Sequence, residues 1–137
     1  MQEYTVKVIR NRTEWYQNGL LHRLDGPAIE YKGGKTKKYY TNGKLHREDG
    51  PAVISPTKNI WYVNGVPHRI DGPAIEASNG TKYWYVNGKI HREDGPAVIH
   101  HCGQKHWYLN GQRLSEEEFK NQMKTKSHLI LQKNPLF

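Results

Sequence analysis

Four stretches of this chain are nearly the same sentence: WYQNGLLHRLDGPAIE from Trp15, YYTNGKLHREDGPAVI from Tyr39, WYVNGVPHRIDGPAIE from Trp61 and WYVNGKIHREDGPAVI from Trp84. A shortened fifth copy, WYLNGQRL, begins at Trp107, so the copies start 24, 22, 23 and 23 residues apart. A fixed period of this length means a stack of like units, none of which buries its apolar face alone. Each copy holds an aromatic, branched stretch suited to a strand, as in Lys82-Tyr83-Trp84-Tyr85-Val86. Asn-Gly follows, the pair that best closes a two-residue type I′ hairpin because both central residues need positive φ. A short return strand, the break at Asp-Gly-Pro and a new strand at Ala-Val-Ile or Ala-Ile-Glu complete the unit.

The expected fold is therefore all-β: an elongated antiparallel meander of about five stacked 23-residue repeats, capped by a C-terminal α-helix. Two main strands per unit at about 4.8 Å each give a rise of about 10 Å per repeat and a twisted sheet about 50 Å long. Tyr4 to Ile9 reads as a strand that begins the first unit. Residues 1–111 read as the repeat domain and 112–137 as a capping helix and tail. In the tail, Ser115 and Glu118 have capping-box spacing, Leu114 and Phe119 staple spacing, and Phe119 and Met123 share a face. A helix near 116–125 is expected to lie over the last strand, because open sheet edges invite aggregation. The stretch SHLILQKNPLF reads as strand or continued helix, with Pro135 ending either.

The core must be thin, since apolar residues make up only 35% of 137, and the 15 aromatics must carry much of the burial. A single cysteine, Cys102, excludes an intrachain disulfide framework and suits a reducing compartment. The N-terminus has no apolar leader core and no run reaches transmembrane length, so the residues read as soluble and cytoplasmic.

The units resemble MORN repeats, in which an aromatic strand, Asn-Gly, a basic or apolar pair and His recur about every 23 residues. Tyr85, Asn87, Gly88, Lys89 and His91 match that pattern, as do Tyr40, Asn42, Gly43, Lys44 and His46. The resemblance covers residues 15–111. After His the MORN pattern has Gly-x-Gly, whereas here Arg-x-Asp-Gly-Pro follows, a variant similar to units in bacteriophage and large-virus proteins. The resemblance implies a β-sheet scaffold for protein contacts. Its viral flavour implies an accessory protein that binds and inhibits a host protein, such as a defence component.

In four copies Arg stands two residues before Asp: Arg23/Asp25, Arg47/Asp49, Arg69/Asp71 and Arg92/Asp94. A turn Asp ordinarily accepts from the N–H two residues on, but that residue is proline and has none. The carboxylate is free for the planar guanidinium, in its own unit or the next, and Gly is expected to tolerate a strained backbone before Pro. This gives a turn lock stacked along the ladder. The alternative is a row of ligand-binding groups, His46, Arg47, His68, Arg69, His91 and Arg92, taking phosphate or nucleotide.

The formal net charge of +8 is unevenly spread. Over the first 110 residues the segments between copies hold ten basic and four acidic residues, while the Asn-Gly to Asp-Gly halves balance. Lys35, Lys37 and Lys38 crowd one inter-unit turn. Tyr16, Tyr40, Tyr62, Tyr85 and Tyr108 recur in one register and should form a row on one sheet face. Lys35, Lys37, Lys38, Tyr40, Tyr62 and Tyr85 are thus the candidate partner-binding residues, facing an acidic protein. Nucleic acid or anionic lipid would fit the same basic edge.

Catalysis is weakly signalled. A dyad of Cys102 with a nearby histidine lacks any recognisable oxyanion element. His100, His101, Cys102 and His106 are zinc-ligand types, but neighbours in a strand point to opposite faces, so few of them converge. The reading is a non-enzymatic binding scaffold with no cofactor and no metal.

Overall fold

A computed structural model of the chain describes residues 3–133 and shows this architecture. Its main element is a twelve-stranded antiparallel sheet, with two strands added per unit. The sheet opens with Thr5–Ile9 on Arg12–Gln17, with Val6 opposite Trp15 and Val8 opposite Thr13, and the short Leu20–Leu21 pairs with the end of Arg12–Gln17. It continues through Ile29–Tyr31, Lys37–Lys38, Val53–Ile54, Lys58–Ile60, Ile75–Ala77, Lys82–Tyr83, Val98–Ile99 and Lys105–Leu109 to Gln112–Leu114.

Three small hairpins stand off this sheet: Tyr40–Thr41 on Lys44–Leu45, Tyr62–Val63 on Val66–Pro67, and Tyr85–Val86 on Lys89–Ile90. Each hairpin turns at Asn-Gly with φ near +50° at Asn and +80° at Gly, the type I′ geometry the dipeptide predicts. The chain bends into the hairpin at the aromatic residue. In unit 3, the Trp61 N–H donates to the Ala74 carbonyl at 2.7 Å, and the Trp61 carbonyl accepts from the His68 N–H at 3.1 Å. Trp15, Tyr39 and Trp84 make the same two bonds in their own units. The short inter-unit loops lie at one end of the main strands, with the hairpins and Asp-Gly-Pro turns at the other.

The core is as thin as composition predicts. Ala28, Ala52, Ala74 and Ala97 are fully buried, one per unit, with Ile29, Ile60 and Val98 beside them. Among the described residues no large side chain is completely buried.

A helix, Glu116–Lys133, follows the last strand and packs on the closing hairpin. The Glu118 N–H donates to Ser115 Oγ and the Ser115 N–H to Glu118 Oε1, both at 3.1 Å, so the capping box forms. Leu114 and Phe119 are buried together as the staple. The helix runs eight residues past the expected 125, which makes Ser127–Lys133 helix rather than strand; Pro135 lies outside the described residues. No helix of the described residues is long and apolar enough to cross a membrane.

Candidate functional site

The repeated polar residues meet at the joint between one unit and the next. Three bonds recur at each of four joints. The Arg N–H donates to the Tyr carbonyl of the following unit, from Arg23 to Tyr40, Arg47 to Tyr62, Arg69 to Tyr85 and Arg92 to Tyr108, at 3.0–3.3 Å. The N–H of the next Asn-Gly glycine donates to the carbonyl of the residue before His, at 2.8 Å every time. The next Asn N–H donates to the His Nδ1, from Asn42 to His22, Asn64 to His46, Asn87 to His68 and Asn110 to His91, at 2.9–3.0 Å. A histidine that accepts at Nδ1 keeps its proton on Nε2, so each ring is fixed in one tautomer. Burial and then the positive charge of Lys126 hold the His91 imidazole below its ordinary pKa.

The arginine side chain does a second job. In unit 3 the Arg69 guanidinium lies 4.0 Å from the Trp61 ring centroid. Its Nε donates to Asp71 at 3.0 Å and one terminal nitrogen donates to the Pro73 carbonyl at 3.1 Å. That nitrogen also reaches Glu76 at 3.2 Å. Arg23 on Trp15, Arg47 on Tyr39 and Arg92 on Trp84 repeat the stack, the carboxylate bond and the proline bond. The lock therefore closes within a unit, between Arg and its own Asp.

One expectation about the lock needs correcting. The glycine of Asp-Gly-Pro does not occupy the left-handed region at any of the four positions. A Cβ there would stand 2.8–3.0 Å from the Arg Cζ, so Gly26, Gly50, Gly72 and Gly95 are the flat floor on which the guanidinium lies. The carboxylates are not buried: the Asp71 side chain is 81% exposed against 20% for Arg69. The buried partner is the arginine.

The candidate ligand row, His46, Arg47, His68, Arg69, His91 and Arg92, thus holds the joints and turns, with His Nδ1 and two guanidinium nitrogens of each pair already bonded. The exposed charge beside these groups is carboxylate, from Asp49, Asp71 and Asp94 with Glu48 and Glu93. An anionic ligand at this row would meet those carboxylates.

Tyr40, Tyr62 and Tyr85 are half-buried at corresponding hairpin positions. Burial, with the neighbouring tyrosines Tyr31 and Tyr62, raises the pKa of Tyr40; burial with Tyr83, Tyr108 and Tyr62 raises that of Tyr85. Tyr40, Tyr62 and Tyr85 thus stand in the three hairpins off the main sheet, whereas Tyr16 and Tyr108 lie in its strands. The lysine trio is less of a patch than its spacing suggests. Lys35 is exposed in the loop, but Lys37 and Lys38 are successive residues of one strand and face opposite sides of the sheet. Lys37 stands opposite Glu30 and Ile54, and Lys38 lies 5.7 Å from the Tyr31 ring centroid.

Cys102 is exposed in an inter-unit turn. The His100 and His106 rings meet edge to face at 5.3 Å, and His106 Nδ1 lies 2.8 Å from an Arg113 terminal nitrogen. Among the described residues no three His, Cys, Asp or Glu gather as a metal site needs.

Two roles were not read from the sequence: His as acceptor across the joint, and Arg as the plate on the aromatic ring. A signal existed for the second, because the aromatic residue and Arg stand eight residues apart in all four full copies. No family model, no curated protein and no solved structure matches this chain.

Proposed function

We propose that this chain is a non-enzymatic binding scaffold, MORN-like in its units, whose target is a protein. The observation that carries this reading is how the repeated polar residues are used. Every His, Arg and Asp of the four full units is bonded in the same way at the same place, which serves a ladder and leaves no set singled out for chemistry. Variation falls instead on exposed positions, where a binding surface is built.

The fitting partner is an acidic protein that spans the strands, from the lysines at the inter-unit loops to the half-buried tyrosines of the hairpins. Rim lysines steer its approach, and tyrosines supply contact area at little cost in side-chain entropy. Capturing a partner from lysate on the immobilised chain and measuring its kinetics tests this. Replacing Lys35, Lys37 and Lys38 together by Glu should leave the melting temperature unchanged yet slow association and flatten its salt dependence. Tyr62→Ala should raise the dissociation rate. A triple variant that associates at the wild-type rate at low and high salt would refute the basic surface as the contact.

A further inference from the structure

The units fall into two alternating kinds. After Asn-Gly and between Arg and Asp, units 1 and 3 carry Leu20/Leu24 and Val66/Ile70, whereas units 2 and 4 carry Lys44/Glu48 and Lys89/Glu93. All four apolar residues are exposed, Ile70 most of all at 76%. Neither the joint bonds nor the arginine plate uses the side chain between Arg and Asp, so the fold does not ask for isoleucine there.

Ile70 lines a groove of 680 Å³ between units 3 and 4. Trp84 and Val86 also line it, together with the carboxylates of Asp71, Glu93 and Asp94. Arg69 and Arg92 border the groove, but each is engaged by its ring, its Asp and its proline carbonyl. What the groove offers is an apolar surface whose exposed charge is carboxylate, since Asp71 and Asp94 are 81% and 84% exposed against 20% and 21% for the arginines they pair with.

The far side of the same Glu93-Asp94 turn shows what such a surface accepts. There the chain's own helix is seated: Lys126 pairs with Glu93, and Phe119, Met123 and Lys124 line a space shared with Glu93 and Asp94. From Phe119 to Lys133 this helix carries four lysines and no acidic residue.

We propose that the groove between units 3 and 4 is a docking site for a basic helix of a partner protein. Its apolar side chains would lie against Ile70, Trp84 and Val86, and its lysines or arginines would meet the exposed carboxylates of Asp71 and Asp94, Glu93 being held by Lys126. The site continues the surface on which the chain's own helix already rests. It goes beyond the acidic-partner reading, because it takes a partner of opposite charge and is lined by none of Lys35, Lys37, Lys38, Tyr40, Tyr62 and Tyr85, so the two can fail separately.

The test uses the full chain and a labelled peptide of its Phe119–Lys133 sequence, followed by fluorescence anisotropy. Saturable binding that weakens with salt is expected. Ile70→Lys should weaken it about ten-fold by removing the apolar contact and adding like charge, with no loss of melting temperature, since units 2 and 4 already carry a charged residue there. Val8→Lys, on the distant edge strand, should bind as wild type. Absence of saturable binding, or equal binding by Ile70→Lys, overturns the proposal. Light scattering is the third readout: a dimer of the chain alone that Ile70→Lys abolishes would give the groove to a second copy and overturn its assignment to a partner protein.

Discussion

Replacing Arg69 by alanine removes one guanidinium plate from the interior of the ladder. The side chain is 20% exposed and gives up its stack on Trp61 and its bonds to Pro73, Asp71 and Glu76. The stack contributes about 1 kcal/mol in a partly desolvated setting. The charged bond to the proline carbonyl adds about 1.5–3 kcal/mol, and the exposed carboxylates add at most about 1 kcal/mol. The loss should total about 3 kcal/mol, or roughly 10 °C in melting temperature for a chain of this size. Asp71→Ala removes only the exposed half and should cost about 1 kcal/mol or less.

Gly72→Ala makes the stronger test, because it deletes no contact. Its Cβ would stand 2.9 Å from the Arg69 Cζ, so the guanidinium must leave its plane or the turn must shift. Its cost should approach that of Arg69→Ala in the wild type. In the Arg69→Ala background the same change should be neutral, or stabilising by about 0.5 kcal/mol, because the unfolded chain loses freedom. Calorimetric melts of the four proteins close this cycle. An equal cost for Gly72→Ala in both backgrounds would refute the plate as the reason for glycine. A larger loss for Asp71→Ala than for Arg69→Ala would refute the assignment of the lock's energy to the arginine.

Three further outcomes are expected. With its folded pKa held below the unfolded value, His91 contributes stability that is complete above about pH 6.5 and is lost as pH falls toward the folded value. The stability gap between wild type and His91→Asn, from denaturant titrations, should narrow over that window, and NMR should find the neutral proton on Nε2. Ser115→Ala breaks the capping box and should cost about 1 kcal/mol, read as faster amide exchange in the first helical turn. Asn87, at φ +51°, tolerates Gly but not Ala; Asn87→Ala should lose about 1 kcal/mol in thermal melts while Asn87→Gly stays close to wild type.

Most of the fold was legible because its signals are local and repeated. Asn-Gly turns, aromatic strand starts and the Ser115/Glu118 box each act within a few residues, and period fixes how the units add. The Arg–Asp bond was legible for the same reason, two residues apart with proline removing the rival donor. What escaped depends on contacts that local rules do not reach. The glycine of Asp-Gly-Pro answers to a guanidinium folded back from three residues earlier, not to its own φ. The exposure of Asp71 follows from the arginine taking the inner position against Trp61. The His acceptor role spans about 19 residues and needs the stacked unit to be visible. The helix continues to Lys133 because no proline or glycine interrupts it before there, and Lys126 pairs with Glu93 of the ladder.

The fifth copy shows why repetition and function separate in this chain. WYLNGQRLS keeps the aromatic strand and the Asn-Gly turn, and its Asn110, Gly111 and Tyr108 receive the bonds of unit 4. Where the full copies have His and Arg it has Leu114 and Ser115. Among the described residues a helix follows in place of a sixth unit, and the two positions that hold His and Arg in the full copies are used to start it. His and Arg are therefore present in each unit that is followed by another and are replaced in the one that is followed by the helix. That pattern is what a joint requires, and a ligand row would have no reason to stop there. The positions free of this duty are those that change from unit to unit, Leu24 to Glu48 to Ile70 to Glu93, and they lie on the exposed edge beside the Asp-Gly-Pro turns. Leu20, Lys44, Val66 and Lys89 vary in the same way, so on the proposed binding reading selectivity is written at these varying positions and not at the motif that makes the repeat recognisable.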